Sequence, residues 1–371
     1  MKQIVFLTSL IYLMQSCTNK EAQSNYSLED VPIVIDIDSV KTDTLKTNFV
    51  HYIPLETTKD CLIGWANKVL IKNDRIYVAD FNQAMALFIF DMKGNFLFKI
   101  DKRGQGPGEY VNFKDFDIQT NGDIYIFDHY RKKFLVCNPE GKYLHEITTD
   151  FIFVDFCLFG SKMYWTTLRD SGKSYANLAV YKMEDKQTEF ILTDEEYLYD
   201  IAIGYSSHKF YYSPDSIIYY SPQVSEVIFS IDGDGIHPAI GIKNLKKPSK
   251  YLIEEWKKDF DDFFKYNRSD GYFIEAINIY ETDKYITFKI KDFPYNFTVL
   301  YNKQSRHTCF IFDQNIGTSE VKGSIGKYFF GVVLFNPELS PSHKSIIESR
   351  EELKNWREDD NPVIVIFEPY N

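Results

Sequence analysis

A repeated stretch decides the fold: RIYVAD at Arg75–Asp80 returns as DIYIFD at Asp123–Asp128, 48 positions later. The segments that follow correspond in the same way, because Leu87–Gly94 is matched by Phe134–Gly141. After each of these two glycines comes a further short strand-like run. Self-similarity at a fixed period is the signature of a fold built from repeated units.

Within each unit, the pattern predicts four short strands joined by tight turns. Asn73-Asp74 and Lys93-Gly94 suit hairpins, because Asn, Asp and Gly tolerate the backbone angles that tight turns require. The predicted strands are about 66–72, 75–80, 87–91 and 96–100 in the first unit, and about 113–119, 123–128, 133–138 and 143–147 in the second. Four strands repeated every ~40–50 residues are typical of a β-propeller.

Four further units follow with weaker patterns, which makes six in all. Their predicted strands are Lys162–Thr167, Leu178–Lys182 and Glu189–Leu192 in the third unit, Ser216–Ser221, Glu226–Ile231 and Gly235–Ile242 in the fourth, Ile274–Tyr280, Tyr285–Lys291, Asn296–Asn302 and Thr308–Phe312 in the fifth, and Lys327–Asn336 and Pro362–Phe367 in the sixth. An open ring would leave a sheet edge unpaired. We therefore expect Pro32–Ile37 or Phe49–Leu55 to complete the last blade beside Val363–Phe367.

Two segments interrupt the strands with apolar residues at helical spacing, Ser249–Tyr266 and His343–Trp356. They are predicted to be short helical insertions packed on the rim. The predicted fold class is therefore all-β, a six-bladed β-propeller with four-stranded blades, a ring closed by an N-terminal strand, and two short helical insertions.

Composition supports β structure and excludes one class of partner. The chain has 371 residues, and its 53 acidic and 42 basic residues give a formal net charge of −11. This balance excludes a generally basic nucleic-acid binder, because a phosphate backbone is held chiefly by clustered Lys and Arg. Aromatic residues make up 17% of the chain, and such side chains pack well on pleated sheets.

The first residues predict where the protein is sent. Lys2 precedes the apolar run Ile4–Met14, which is shorter than the roughly 20 residues of a bilayer span. This start predicts a signal peptide over residues 1–16. Cys17 follows a small residue and resembles the lipidation site of bacterial lipoproteins, so we expect a lipid anchor in the cell envelope, on the outer membrane; a plain secretory signal is the alternative. Residues 17–30 are predicted to be a flexible tether and residues 31–371 the propeller.

From about residue 31 to its end, the chain resembles the six-bladed β-propeller lipoproteins of bacteria, relatives of the NHL-repeat and TolB-like propellers. The resemblance is carried by His51–Thr57, Ile76–Asp80, Arg103–Tyr110 and Asp359–Val363. It implies a propeller fold and an envelope location. It implies no defined activity.

The glycine-rich segment Arg103–Tyr110 is predicted to connect the outer strand of one blade to the inner strand of the next. It lacks the Lys-Ser/Thr of a P-loop and the following helix of a dinucleotide-binding loop. Asp80 and Asp128 are expected to accept backbone N–H bonds in the next turn, and Asp232–Gly235 is expected to form a hairpin turn. No cofactor or metal motif and no hydrolase motif occurs, although residues of separate blades can still converge.

Loops on one face of the predicted ring carry the candidate binding residues. These loops join second to third strands and each blade to the next. The candidates are Arg103, Glu109, Tyr110, His129, Arg131, Arg169 and Tyr295. Their mixture of aromatic and charged groups favours a binding module for a glycan, a peptide or an envelope protein. A metal-assisted lactonase or lyase at the channel mouth, and a structural subunit of a surface complex, are the alternatives.

Overall fold

The structure of the chain, a computed structural model, describes residues 26–149, 153–167, 176–193, 208–213, 217–222, 224–258, 272–292, 296–312, 320–334 and 349–370. Their strands form six sheets, which are the six blades of a β-propeller. The fold class predicted from the repeat is thereby confirmed.

Three strands precede the first blade, and each blade then follows in chain order. The first three are β1 (Ile33–Asp36), β2 (Lys41–Thr44) and β3 (Thr47–Pro54). Blade 1 contains β4 (Lys68–Lys72), β5 (Arg75–Asp80), β6 (Ala86–Asp91) and β7 (Phe96–Ile100), and blade 2 contains β8 (Phe113–Ile118), β9 (Ile124–Asp128), β10 (Lys133–Cys137) and β11 (Tyr143–Thr148). Blade 3 contains β12 (Phe153–Phe159), β13 (Lys162–Thr167), β14 (Ala176–Lys182) and β15 (Gln187–Thr193).

The second half of the ring has the same order of strands. Blade 4 contains β16 (Phe210–Tyr212), β17 (Ile218–Tyr220), β18 (Val227–Ile231) and β19 (Ile236–Lys243), and blade 5 contains β20 (Phe273–Glu281), β21 (Tyr285–Asp292), β22 (Asn296–Asn302) and β23 (Thr308–Phe312). Blade 6 contains β24 (Val321–Ile325), β25 (Tyr328–Val333) and β26 (Val363–Pro369), with β3 as its fourth strand.

The tight turns have the geometry that their residues predicted. Asn73 and Asp74 both have positive φ angles, 50° and 55°, between the paired residues Lys72 and Arg75. This is the two-residue hairpin in which Asn and Asp are favoured. Asp232 caps its own hairpin by accepting the Asp234 N–H at 2.9 Å, which confirms the turn predicted there.

The N-terminal strand β3 closes the ring. It pairs antiparallel with β26 from Val363 opposite Pro54 to Pro369 opposite Thr47. Of the two segments considered for closure, Phe49–Leu55 therefore supplies the closing strand. The pairing joins the front of the chain to its end, so the last blade exists only when both are present.

The N-terminal strands β1 and β2 pair with outer strands of the ring, which the sequence pattern did not predict. Strand β1 pairs in parallel with β19, and β2 pairs in parallel with β23. Both β19 and β23 are the outer strands of their blades, so blades 4 and 5 each gain a fifth strand. Covering an outer edge in this way removes unpaired backbone groups from the rim.

Stacked aromatic rings fill the space between neighbouring blades. Between blades 2 and 3, Phe153 lies 3.9 Å from Phe127 and 5.4 Å from Trp165, measured between ring centroids. All three side chains are buried. The aromatic-rich composition thus becomes the core between the blades.

The helical insertions are only partly described. The first contains the helix α1 (Lys250–Lys258) between blades 4 and 5, and the rest of Ser249–Tyr266 beyond residue 258 lies outside the described residues. In the second, the described residues 349–356 contain a 3-10 turn at Glu351–Leu353. No helix in the described ranges combines the length and the apolar character that a bilayer crossing needs.

Candidate functional site

The first strand of each blade faces the centre of the ring. These inner strands, β4, β8, β12, β16, β20 and β24, contact one another around the axis. A residue at the start of an inner strand lies near the face formed by the blade-to-blade loops, which we call the loop face. A residue at its end lies near the hairpin turns to the second strand, which we call the hairpin face.

Buried charges form a layer across the channel near the loop face. The Lys68 ammonium group lies 2.8 Å from a carboxylate oxygen of Asp115 and 4.0 Å from one of Asp155. Lys209 forms a further ion pair with Glu275 on the other side of the ring. All five side chains are almost inaccessible to solvent. Buried charges that are paired in this way avoid the large cost of an isolated buried ion.

The aspartates of this region connect one inner strand to the next. Asp115 accepts the Phe156 N–H at 3.3 Å, and Asp117 accepts the Leu158 N–H at 2.6 Å, so both bridge blade 2 to blade 3. Asp155 in turn accepts the Phe210 N–H of blade 4 at 3.1 Å. These carboxylates therefore satisfy backbone donors that no neighbouring strand reaches.

Burial and nearby charges shift the pKa values of the residues in this layer. Burial, aided by the charge of Asp155, raises the pKa of Asp115 to about 8 against the opposing effect of Lys68. Burial alone would lower the pKa of Lys68, but Asp115 and Asp155 outweigh it and raise the pKa above its ordinary value. Burial and the neighbouring ammonium group thus act in opposite directions on the pKa of Asp115, and the effect of burial is the larger.

Beside this layer lies a cavity of about 560 Å³, within the usual range for small-molecule sites. Aromatic side chains form much of its wall: Phe159, Phe210, Tyr211, Tyr212, Tyr280 and Phe330. Residues with amide or hydroxyl side chains contribute polar groups to the wall: Asn67, Asn73, Gln119, Thr120, Ser213, Asn278 and Ser324. The lining includes Asn73, Thr120, Gly160 and Gly326 at the hairpin turns, so the cavity extends to the hairpin face.

Among the described residues, three lysines supply the charge in the lining of this cavity: Lys68, Lys72 and Lys322. The imidazole of His208 also lines it and is neutral at pH 7, because its pKa is lowered to about 3. Lys72 lies 3.3 Å from Asp117 and 3.8 Å from the centre of the Tyr212 ring. Lys322 lies 2.7 Å from Glu320, which Lys289 also contacts at 3.0 Å. Burial would raise the pKa of Glu320, but these two lysines outweigh it and lower the pKa to about 2.

Three of the predicted binding residues lie together on the loop face. The Arg131 guanidinium donates to the carbonyl of Gln105 at 2.9 Å and so contacts the glycine loop. Within that loop, the Glu109 carboxylate accepts the Gly106 N–H at 2.8 Å. A β-carbon on Gly104 would lie 2.0 Å from this carboxylate, which explains the glycine there. Arg103 is exposed and pairs with Asp101 at 3.2 Å.

The remaining predicted residues divide into two groups. Tyr110 is fully buried, and its hydroxyl donates to the Met85 carbonyl at 2.7 Å, while His129 is half-buried beside the exposed Tyr130. Arg169, Tyr295 and the predicted lipidation site Cys17 lie outside the described residues. A binding role for the loop face stays a prediction.

The turn-capping aspartates behave as expected. Asp80 accepts the N–H groups of Asn82 at 3.0 Å and Gln83 at 2.8 Å, and Asp128 accepts the Arg131 N–H at 3.3 Å, which confirms the role predicted for them in the next turn. Each also accepts N–H groups from the connection that enters its blade, such as Gly64 at 2.8 Å and Val111 at 2.7 Å.

Sequence reasoning missed the inner-strand charges, although a signal for them exists. FKDF at Phe113–Phe116 returns as FVDF at Phe153–Phe156, 40 positions later. Each repeat places an aspartate inside an otherwise apolar strand, at Asp115 and Asp155. A carboxylate in such a strand needs a partner, so this repeat indicates a charged centre of the ring.

The histidine of the channel gives a pH-dependent prediction. Burial and the Lys68 ammonium group lower the pKa of His208 from 6.5 to about 3. Below pH 6.5 the unfolded chain gains a proton that the folded chain refuses, so this histidine makes stability fall as the pH falls towards 3. We expect the melting temperature of His208→Gln to fall less steeply between pH 6.5 and pH 4 than that of the wild type. An exposed control, His237→Gln, should follow the wild type, and equal slopes for His208→Gln would contradict the prediction.

Comparison with known proteins gives a family. A family model described as a domain of unknown function, DUF4934, matches residues 32–368. The search of curated proteins found no match to the chain.

Two solved structures have a similar fold. One is a protein of Bacteroides fragilis NCTC 9343 whose name assigns it to export; it aligns with a TM-score of 0.72 at 18% identity, over 91% of this chain and 99% of that one. The other is a member of the DUF4221 family from Bacteroides vulgatus ATCC 8482, with a TM-score of 0.52 at 11% identity, over 88% of this chain and 98% of that one. At these identities the likeness concerns the fold alone.

Proposed function

The chain belongs to the DUF4934 family and folds as a six-bladed β-propeller, and on that premise we propose that it is a binding module of the cell envelope that takes a glycan into its central cavity. The predicted signal peptide and Cys17 support an envelope location with a lipid anchor. The name of the Bacteroides fragilis protein, which assigns it to export, points the same way.

The lining of the cavity is the observation that carries the proposal. The half-buried rings of Phe159 and Tyr212 offer apolar surface against which a sugar ring can pack. The amides of Asn73 and Gln119 and the hydroxyl of Thr120 can exchange hydrogen bonds with sugar hydroxyls. A mostly apolar pocket with a few polar groups is the usual form of a small-molecule site.

A thermal-shift screen tests the proposal. The protein is residues 17–371 with Cys17→Ser, and the panel contains oligosaccharides and short peptides. A ligand present at 100 times its Kd stabilises the folded state by about 2.7 kcal/mol, which is readily measured. We expect oligosaccharides to raise the melting temperature, because only the folded chain has the cavity. A response to peptides alone would contradict the glycan assignment, and no response at all would contradict the function.

A variant with a blocked cavity tests where on the ring the ligand binds. Ser324→Trp places an indole in the cavity wall, whereas His145→Trp places one on the exposed outer strand β11. We expect Ser324→Trp to abolish the thermal shift and His145→Trp to retain it. Equal binding by both variants would mean that the ligand binds elsewhere on the ring.

A metal-assisted enzyme is the second candidate function, and one cluster favours it. Asp115, Asp155 and His208 each offer a ligand atom, and these atoms lie within 4.8 Å of one another. The Lys68 ammonium group, 2.8 Å from Asp115, already neutralises this cluster, so a cation would have to displace it. The same thermal-shift assay with divalent cations tests this candidate. If the cations raise the melting temperature of the wild type but not that of Asp155→Asn, the result would support the enzyme over the binding module.

A further inference from the structure

The charge of the cavity lining is opposite to that of the chain. The chain has 53 acidic and 42 basic residues, so a random selection of its charged groups would be mostly acidic. Within the part of the chain that the structure describes, the lining instead contains the three lysines 68, 72 and 322 and no acidic residue. From this we infer that the ligand is an acidic sugar, whose anionic group is held by Lys322. This inference rests on the proposed function.

Two of these lysines have a buried carboxylate as partner. Asp115, beside Lys68, and Asp117, beside Lys72, are 1% and 0% exposed and are not among the lining residues. The side chains of Lys72 and Lys322 retain 26% and 27% of their exposure. Glu320, the partner of Lys322, has a side chain that is 32% exposed, but it is not among the lining residues either.

Lys322 is the better placed of the two lysines to bind an anion. Lys72 is engaged by Asp117 at 3.3 Å, by the Ile118 carbonyl at 3.0 Å and by the Tyr212 ring. Among the described residues, the Lys322 ammonium group donates one hydrogen bond, to Glu320 at 2.7 Å, and an ammonium group has three N–H donors. Two donors of Lys322 are thus left for a ligand.

Lys322 shares its carboxylate partner with a second lysine. Glu320 contacts both Lys322 and Lys289, at 2.7 and 3.0 Å, so one carboxylate serves two ammonium groups. Apolar side chains such as Ile325, Leu158 and Phe330 also line the cavity. In such a low-dielectric setting, attraction between the Lys322 ammonium group and an anion is stronger than in water.

Uronates and sulfated sugars share this chemistry, and a binding experiment separates them. The probes are trigalacturonate, a sulfated galactose trisaccharide and the neutral galactotriose, titrated by calorimetry into residues 17–371 with Cys17→Ser. We expect an acidic trisaccharide to bind at least about tenfold more tightly than the neutral one, the effect of one charge-assisted hydrogen bond. The tighter of the two acidic probes identifies the anion.

A pair of matched variants assigns the preference to Lys322. Lys322→Gln leaves Glu320 paired with Lys289, so the fold should survive. Lys327→Gln is the control, because Lys327 shares Glu368 with Lys284 in the same arrangement but outside the cavity. Lys322→Gln should remove the preference for the acidic sugar, and Lys327→Gln should keep it.

The outcomes separate this inference from the proposed function. If the neutral and acidic trisaccharides bind equally, the acidic ligand is overturned and the glycan-binding cavity stands. If Lys322→Gln keeps the preference, the assignment of the anion to Lys322 is overturned. If no trisaccharide binds, both fail. Circular dichroism of the Lys322→Gln variant distinguishes a lost ligand contact from a lost fold.

Discussion

Phe153→Ala is expected to lower the free energy of unfolding by about 4 kcal/mol, which is a large share of the stability of an ordinary domain. Phe153 has no exposed surface and stacks between Phe127 of blade 2 and Trp165 of its own blade. Its removal leaves a cavity where two blades meet, and stacked rings on both sides cannot close it without moving the sheets. Urea denaturation followed by tryptophan fluorescence measures the loss.

An exposed phenylalanine provides the matched control for this prediction. Phe49 lies on β3 at the rim with 42% of its surface exposed, so Phe49→Ala should cost less than about 1 kcal/mol. A similar loss in both variants would mean that the packing between blades 2 and 3 is not a principal source of stability.

Asn361→Ala is expected to lower the free energy of unfolding by about 3 kcal/mol, because one buried amide joins the two ends of the ring. Its oxygen accepts the Ile63 N–H at 2.8 Å. Its nitrogen donates to the carbonyls of Glu56 at 2.7 Å and Cys61 at 2.8 Å. The substitution leaves these three backbone groups without a partner at the closure between blade 6 and blade 1.

Two further variants test this explanation. Asn361→Asp keeps an acceptor for Ile63 but loses both donors, so it should be at least as destabilising as Asn361→Ala. Asn95→Ala removes a single exposed hydrogen bond, to Asp91 at 2.7 Å, and should cost less than about 1 kcal/mol. Denaturation midpoints measure all three, and an Asn361→Ala variant as stable as Asn95→Ala would refute the role in closure.

The fold could be predicted wherever the repeat was regular. The first two blades follow directly from Arg75–Asp80 and its copy at Asp123–Asp128. The inner strand Val321–Ile325 was missed, because its sequence VKGSI has few bulky apolar residues. Strands β1 and β2 could not be placed, since a parallel strand on an outer edge has no local partner in the sequence and its pairing depends on the completed ring.

The candidate site was less predictable than the fold. The predicted binding residues were in loops, because the loops carry exposed Arg and aromatic residues such as Arg131 and Tyr130. The cavity is assembled from inner strands of several blades, and residues such as Lys72 and Lys322 are 250 positions apart in the chain. Only the closed ring brings them together, so local patterns could indicate a charged centre but not its lining.

A crystal structure of residues 17–371 with Cys17→Ser, grown with trigalacturonate at a concentration that saturates binding, tests the central claim most directly. We predict electron density for the sugar inside the ring, with its carboxylate beside Lys322 and a sugar ring against Tyr212 or Phe159. Density on the loop face beside Arg131, with an empty cavity, would contradict the proposed site.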